Sequence, residues 1–234
     1  IAVLMAGIFM AKDFVFNTVV FAPIDSDFVL YRLIDKALVM LNMPTLPEFH
    51  LELINIDLSA QFFIHVSTTF YFALVLAIPF IIYQLWSFVK PALYEYEKRA
   101  AQAAFAFSGV LFLLGVLVGY FLIFPLTLRF LGTYQVSYEV ANQISLQSYI
   151  SMFTWLILIM GVVFEMPSLA VILSKIGILT KSFLKKYRRH AFVVMLVVAA
   201  FITPSGDPFT LMAVGLPLYG LYELSILVCR DFDK

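Results

Sequence analysis

Charge is what this chain lacks most. Of its 234 residues only 13% are Asp, Glu, Lys or Arg, while 63% are hydrophobic. Soluble domains carry roughly 45–50% apolar residues. At a mean hydropathy of +0.98, the polar residues here are too few to cover a water-facing surface, and the chain reads as a polytopic membrane protein. Acids and bases balance at 15 each, so no positive excess marks a nucleic-acid partner. The single cysteine, Cys229, excludes an internal disulfide and any cysteine-built metal cluster. It ends an apolar segment and reads as a small packed side chain. The three histidines, His50, His65 and His190, are far apart and have no metal-ligand spacing. His65 and His190 read as interfacial. H-E-x-x-H, G-x-S-x-G and a Gly-rich phosphate loop are all absent. The chain is expected to be no enzyme and to need no cofactor.

What the chain has in abundance is apolar sequence, in six blocks: 1–11, 61–89, 101–131, 148–173, 191–203 and 209–228. A helix of roughly 20 apolar residues crosses about 30 Å of hydrocarbon. The expected fold is therefore all-α, one integral membrane domain with six transmembrane helices. The first block starts at Ile1 inside apolar sequence and reads as the tail of a truncated helix, not as a signal peptide. The fifth is too short to cross unless the bilayer thins or other helices shield it. Between the first two blocks lies 12–60, richer in acids than bases, with prolines that read as turns. Within it Leu30, Leu33, Ile34, Ala37, Leu38 and Leu41 fall on one helical face.

Basic residues set the orientation. Lys90, Lys98 and Arg99 follow the second block, and Lys175, Lys181, Lys185, Lys186, Arg188 and Arg189 follow the fourth. Arg230 and Lys234 end the chain. All fall on one side of an even-span topology, which the positive-inside rule makes cytoplasmic, with both termini there and 12–60 facing outward.

One residue breaks the apolar pattern. Glu165 is the sole charged side chain between Ser148 and Leu173, where a charge costs at least about 2.5–3.5 kcal/mol. An intramembrane acid protease would need a second deep carboxylate, but Asp207 and Glu223 fall near opposite boundaries. A proton-coupled small-solute transporter using Glu165 stays open on composition, although no internal repeat supports it. Gly115 and Gly119 form G-x-x-x-G, read as ordinary close helix packing. Pro79, Pro125, Pro167 and Pro217 place one kink in each of four blocks. The loop Tyr94–Arg99 sets Glu95 and Glu97 beside Lys98 and Arg99, either as a solvated loop or as a patch where Glu97 accepts a guanidinium.

Three stretches carry a family resemblance. YQLWSFVKPALYEYEKR at Tyr83–Arg99, FEMP at Phe164–Pro167 and TPSGDP at Thr203–Pro208 resemble TatC, the core subunit of the twin-arginine protein translocase. FAPI at Phe21–Ile24 is similar to that family's outward loop. The resemblance covers nearly the whole chain, and its implications are specific. It implies a cupped, glove-like bundle in the bacterial inner membrane and a receptor for twin-arginine signal peptides of folded cargo proteins. It also implies partners among TatA/TatB-type single-span subunits, self-association, and transport driven by the proton-motive force. Carried over residue by residue, Glu97 resembles the family's arginine-contacting acid, with Lys98, Arg99 and Tyr94 beside it. Glu165, with Pro167, resembles the family's intramembrane contact for a partner subunit or the signal peptide. Asp207 resembles the acid of the last outward turn, and Pro23 and Pro91 match loop prolines. The family's N-terminal cytoplasmic motif precedes the point where this chain begins.

Overall fold

Proline and the peptide hydrogen bond together decide how the apolar runs are cut. Without water to satisfy N–H and C=O groups, a membrane segment must satisfy them within itself, and the helix does so. The structure, a computed structural model, describes residues 1–45, 51–92, 95–135, 137, 142–175, 177–203 and 207–229; at 89, 92, 95–101, 103, 104 and 209 the backbone alone is described. The α-helices are α1 (Ala2–Met10), α2 (Val29–Met40), α3 (Ala60–Val89), α4 (Glu95–Val118) and α5 (Phe124–Thr133), followed by α6 (Leu146–Phe164), α7 (Met166–Lys175), α8 (Lys181–Lys186), α9 (Arg188–Ile202) and α10 (Pro208–Val228). The strands among the described residues are β1 (Leu53–Ile54) and β2 (Ile144–Ser145), one short parallel pair with Leu53 opposite Ile144. The protein is all-α and built of membrane-length helices, as its composition requires.

Each proline is met differently. Pro79 and Pro217 lie inside α3 and α10, which continue through them. Ahead of Pro125 the helix loosens into a π-helical turn, Gly119–Ile123, before α5 begins. Ahead of Pro167 the run breaks outright, so the fourth apolar block is two helices, α6 and α7, with Glu165 between them.

Among the described residues five segments are long and apolar enough to cross a membrane: Phe14–Met40, Ala60–Phe88, Phe105–Thr133, Leu146–Lys175 and Thr210–Val228. Two of the six expected blocks are too short for that criterion, α1 with 9 residues and α9 with 15. At 1.5 Å per residue α9 covers about 22 Å of a core about 30 Å thick. Phe14–Met40 meets the criterion by composition, yet its helix is interrupted. A π-helix ends at Val20, a 3-10 turn holds Ala22–Ile24, and α2 starts only at Val29.

The chain divides into two compact units, Ile1–Val75 with Gly119–Ile157, and Leu76–Val118 with Leu158–Lys234. In the first unit, three tyrosine hydroxyls hold the segment after α1. Tyr120 donates to Val19 O at 2.9 Å and Tyr149 to Val20 O at 2.6 Å. Tyr31 donates to Pro23 O at 3.2 Å and to Pro125 O at 3.0 Å, with the Arg129 guanidinium 5.2 Å from its ring centre. Phe28, Phe124 and Phe153 pack against these rings. A π-helix leaves its last carbonyls without intrahelical donors, so hydroxyls from distant helices replace them. The amphipathic helix expected within 12–60 is α2. Leu33 and Leu41 of its apolar face are exposed, and the buried residue of α2 is Tyr31, which that face does not include. The anchoring group is a hydrogen-bonding ring, which apolar periodicity does not count.

The Tyr149 hydroxyl permits a direct check. Tyr149→Phe keeps the ring but leaves the Val20 carbonyl without this donor, next to a side chain that is 0% exposed. The expected cost is about 1–3 kcal/mol, measured as a lower melting temperature in detergent. A variant melting with its parent would show that the bond adds nothing net.

In the second unit, α10 packs on α9 and α7, α4 packs on α7, and α8 lies against α9 and α10. Polar ties join these helices at their ends. Tyr222 donates to Leu184 O at 2.7 Å, Arg188 pairs with Glu223 at 2.7 Å, and the buried Cys229 thiol donates to Ala170 O at 3.4 Å.

Candidate functional site

Glu165 owes its position to Pro167. Proline has no N–H, so the Val163 carbonyl loses its α-helical donor, and α6 stops at Phe164. The Glu165 N–H closes on Val162 O at 3.1 Å, three residues back. Its own carbonyl accepts from the Leu169 N–H at 3.0 Å, which starts α7. Glu165 thus occupies a one-residue break in a long apolar run, and its side chain is half-buried.

The carboxylate oxygens have different surroundings. Ser108 on α4 is buried, and its hydroxyl donates to Glu165 Oε2. Oε1 is buried too and has no hydrogen-bond partner among the described residues. A buried acceptor left unsatisfied costs about 1–3 kcal/mol. One oxygen anchors the carboxyl and the other leaves an acceptor free for a donor from elsewhere.

The approach of α4 to this break depends on missing side chains. A Cβ at Gly115 would lie 2.5 Å from Met160 O, 2.7 Å from Phe164 Cβ and 2.9 Å from Gly161 Cα. A Cβ at Gly161 would meet the Phe112 ring at 2.6 Å. Ser108, Phe112 and Gly115 stand at i, i+4 and i+7, one face of α4. That face delivers the hydroxyl to Glu165, and the bare glycines permit the contact. Gly115 fits the close-packing role read from G-x-x-x-G, while Gly119 begins the π-helical turn.

The remaining expected site residues are not gathered here. Pro167 is buried in the first turn of α7. Asp207 is the N-cap of α10: its carboxylate accepts from the Thr210 N–H at 2.8 Å and from the Thr210 hydroxyl. Pro23 is buried in the 3-10 turn that Tyr31 holds, and Pro91 lies in a second such turn, Lys90–Ala92. Glu97, Lys98 and Arg99 fall in the first turns of α4, where the backbone alone is described, and Tyr94 lies outside the described residues. Sequence reasoning missed Ser108, although its i, i+7 spacing to Gly115 was a signal. It also missed the tyrosine contacts, for which no local pattern exists.

Helices of membrane length, a helix break made by proline, and a carboxylate within that break define a multi-pass helical membrane protein with an intramembrane polar contact point. Residues 1–217 match the family described as Sec-independent protein translocase protein (TatC), and the chain belongs to that family. It is 36% identical over 227 residues to the Sec-independent protein translocase protein TatC of Blattabacterium sp. subsp. Periplaneta americana (strain BPLAN), covering 95% of this chain and 85% of that protein. It is 42% identical over 165 residues to the protein of the same name from Helicobacter pylori (strain J99), covering 70% of this chain and 66% of that one. Its structure resembles a crystal structure of the twin arginine translocase receptor TatC in DDM, with a TM-score of 0.65 and 35% identity, covering 77% of this chain and 80% of that one. A second crystal structure of a twin arginine translocase receptor TatC gives 0.63 at 34% identity, covering 85% and 86%. The chain is a protein-translocase membrane subunit, not an enzyme, and membership in this family sets aside the small-solute transporter.

Proposed function

We propose that this chain is the receptor subunit of the translocase, binding twin-arginine signal peptides of folded cargo proteins and nucleating the assembly that exports them. The observation that carries the reading is Glu165, a carboxylate in a membrane span with one oxygen anchored by Ser108 and the other buried without a donor among the described residues. A group that costly persists where a second molecule completes it. A polar side chain on a TatA/TatB-type single-span subunit is the donor that fits, and Pro167 keeps the break open to it. Recognition of the arginine pair falls to Glu97, whose carboxylate suits bidentate guanidinium binding, with Tyr94, Lys98 and Arg99 beside it. Pro91 shapes the turn ahead of α4, while Pro23 and Asp207 shape turns on the outward side. The basic residues after α3 and α7 support a cytoplasmic side for the segments that bear them and, with six spans, for both ends of the full-length protein, in a bacterial inner membrane.

Photocrosslinking tests the assignment. A twin-arginine signal peptide carrying a photoreactive residue beside its arginine pair should crosslink to the full-length protein, and Glu97→Ala should cut that capture at least tenfold. Equal capture by the parent and the Glu97→Ala variant would remove Glu97 from arginine recognition.

A further inference from the structure

Beyond signal and partner contacts, the connection between α7 and α9 has a surface chemistry of its own. No Asp or Glu occurs from Met166 to Gly206, while Lys181, Lys185, Lys186, Arg188 and Arg189 fall within nine residues of chain there. The helix α8 begins on a side-chain cap, Thr180 Oγ1 accepting from the Phe183 N–H at 3.2 Å. Its inward side is fixed in place. Leu184 is buried, and its carbonyl takes the Tyr222 hydroxyl of α10 at 2.7 Å. Arg188 is also committed, to Glu223.

The outward side is left with two kinds of group. Lys185, Lys186 and Arg189 are exposed, and no ion pair is recorded for them among the described residues. Between them stand two aromatic rings at i and i+4, Phe183 (51% exposed) and Tyr187 (40% exposed), with centroids 4.6 Å apart. The Lys186 ammonium lies 5.9 Å from the centre of the Tyr187 ring. Exposed aromatic rings are costly in water and at home in the headgroup layer of a bilayer. Cations on flexible stems beside them reach lipid phosphates.

We infer that α8, with the residues up to Arg189, is a docking surface for the acidic phospholipid headgroups of the leaflet in which it lies. Placement favours a membrane over an acidic protein. The segment Leu146–Lys175 ends just before α8, and α9 begins just after it with exposed Phe192 and Val193. The connection is too short to carry α8 far from the hydrocarbon boundary. Its cations therefore stand at headgroup depth, where an anionic surface attracts them and where each is worth roughly a fivefold preference for that surface. The proposal leaves Glu97 and Glu165 untouched, so it stands or falls apart from the receptor assignment.

Photoreactive lipids give the test. The full chain is placed in phosphatidylcholine nanodiscs doped with a photoreactive analogue of phosphatidylglycerol or, separately, of phosphatidylcholine, and adducts are mapped by mass spectrometry. The anionic probe is expected to label 181–190 at least about fivefold more than the zwitterionic one. That preference should vanish in Lys185→Gln/Lys186→Gln/Arg189→Gln and survive in Lys185→Arg/Lys186→Arg/Arg189→Lys. Labelling of α3 by the zwitterionic probe reports whether each variant is folded. If the Gln variant misfolds, raising the salt on the parent protein decides the matter, because a headgroup contact through exposed charge is screened. Equal labelling by the two probes, or a preference that the Gln variant or high salt leaves unchanged, overturns the proposal. So does loss of the adducts once partner subunits are bound, which would make the occupant a protein.

Discussion

Gly115→Val is expected to remove the folded protein rather than weaken it. The atoms a side chain would meet are chiefly backbone, Met160 O at 2.5 Å and Gly161 Cα at 2.9 Å. A crowded side chain relieves strain by changing rotamer, but a helix backbone does not. α4 would have to shift until ordinary contact near 3.4 Å returned, and Phe112, one turn earlier, packs over Gly161. Overpacking a core costs about 1–3 kcal/mol when neighbours yield. Here the cost is expected above about 3 kcal/mol, since Ser108 would leave Glu165 by the same shift. The measurement is the yield of monodisperse protein in detergent and its melting temperature. Gly109→Ala on the same helix is the control. Among the described residues its Cβ would meet only Pro79 Cβ, at 3.9 Å, and alanine's better helix propensity is worth up to about 1 kcal/mol. If Gly115→Val matched Gly109→Ala in yield and melting, the close approach of α4 to α6 would be wrong.

The sequence was informative wherever one physical term dominated. Scarcity of charge over runs of membrane length leaves an all-α membrane protein as the outcome, because backbone groups in hydrocarbon have no other partners. Glu165 stood out for the same reason: one carboxylate in an apolar run is visible without knowing its surroundings. What stayed hidden was set by contacts between residues far apart in the chain. Ser108 lies 57 residues from Glu165, and Tyr149 lies 129 from Val20. Pro125 and Pro167 look alike in sequence, yet one follows a π-helical turn and the other a full break. Tertiary packing makes that choice. Asp207 was singled out by the family resemblance, and its cap on α10 became evident only with the Thr210 contacts. The amphipathic face of α2 was legible from its period, whereas the anchor of that helix, Tyr31, acts through a hydroxyl that an apolar count leaves out.

Glu165→Leu is expected to separate stability from assembly. The carboxyl is a poor stabiliser: one oxygen is paired with Ser108, the other is buried without a partner among the described residues, and the group stands in an apolar run. Replacing a half-satisfied buried polar group by a well-fitting apolar one is neutral or stabilising, although Ser108 loses its acceptor. The melting temperature of the isolated protein should therefore hold or rise. If the free oxygen is the acceptor for a polar group on a single-span partner, the same substitution should cut partner co-purification at least tenfold. A difference of about 1.4 kcal/mol, one hydrogen bond to a charged or polar acceptor, is enough for that. Glu165→Gln retains an acceptor oxygen and should fall between the parent and Leu. Signal-peptide crosslinking should change little in either variant if, as proposed, the arginines are recognised by Glu97, in the first turns of α4. A different pattern would count against a docking role. If Leu lowered the melting temperature and assembly together, the carboxyl would be holding α4 to the helix break, and the lost assembly would follow from lost structure. If Leu left assembly intact, the buried oxygen would have no partner to meet.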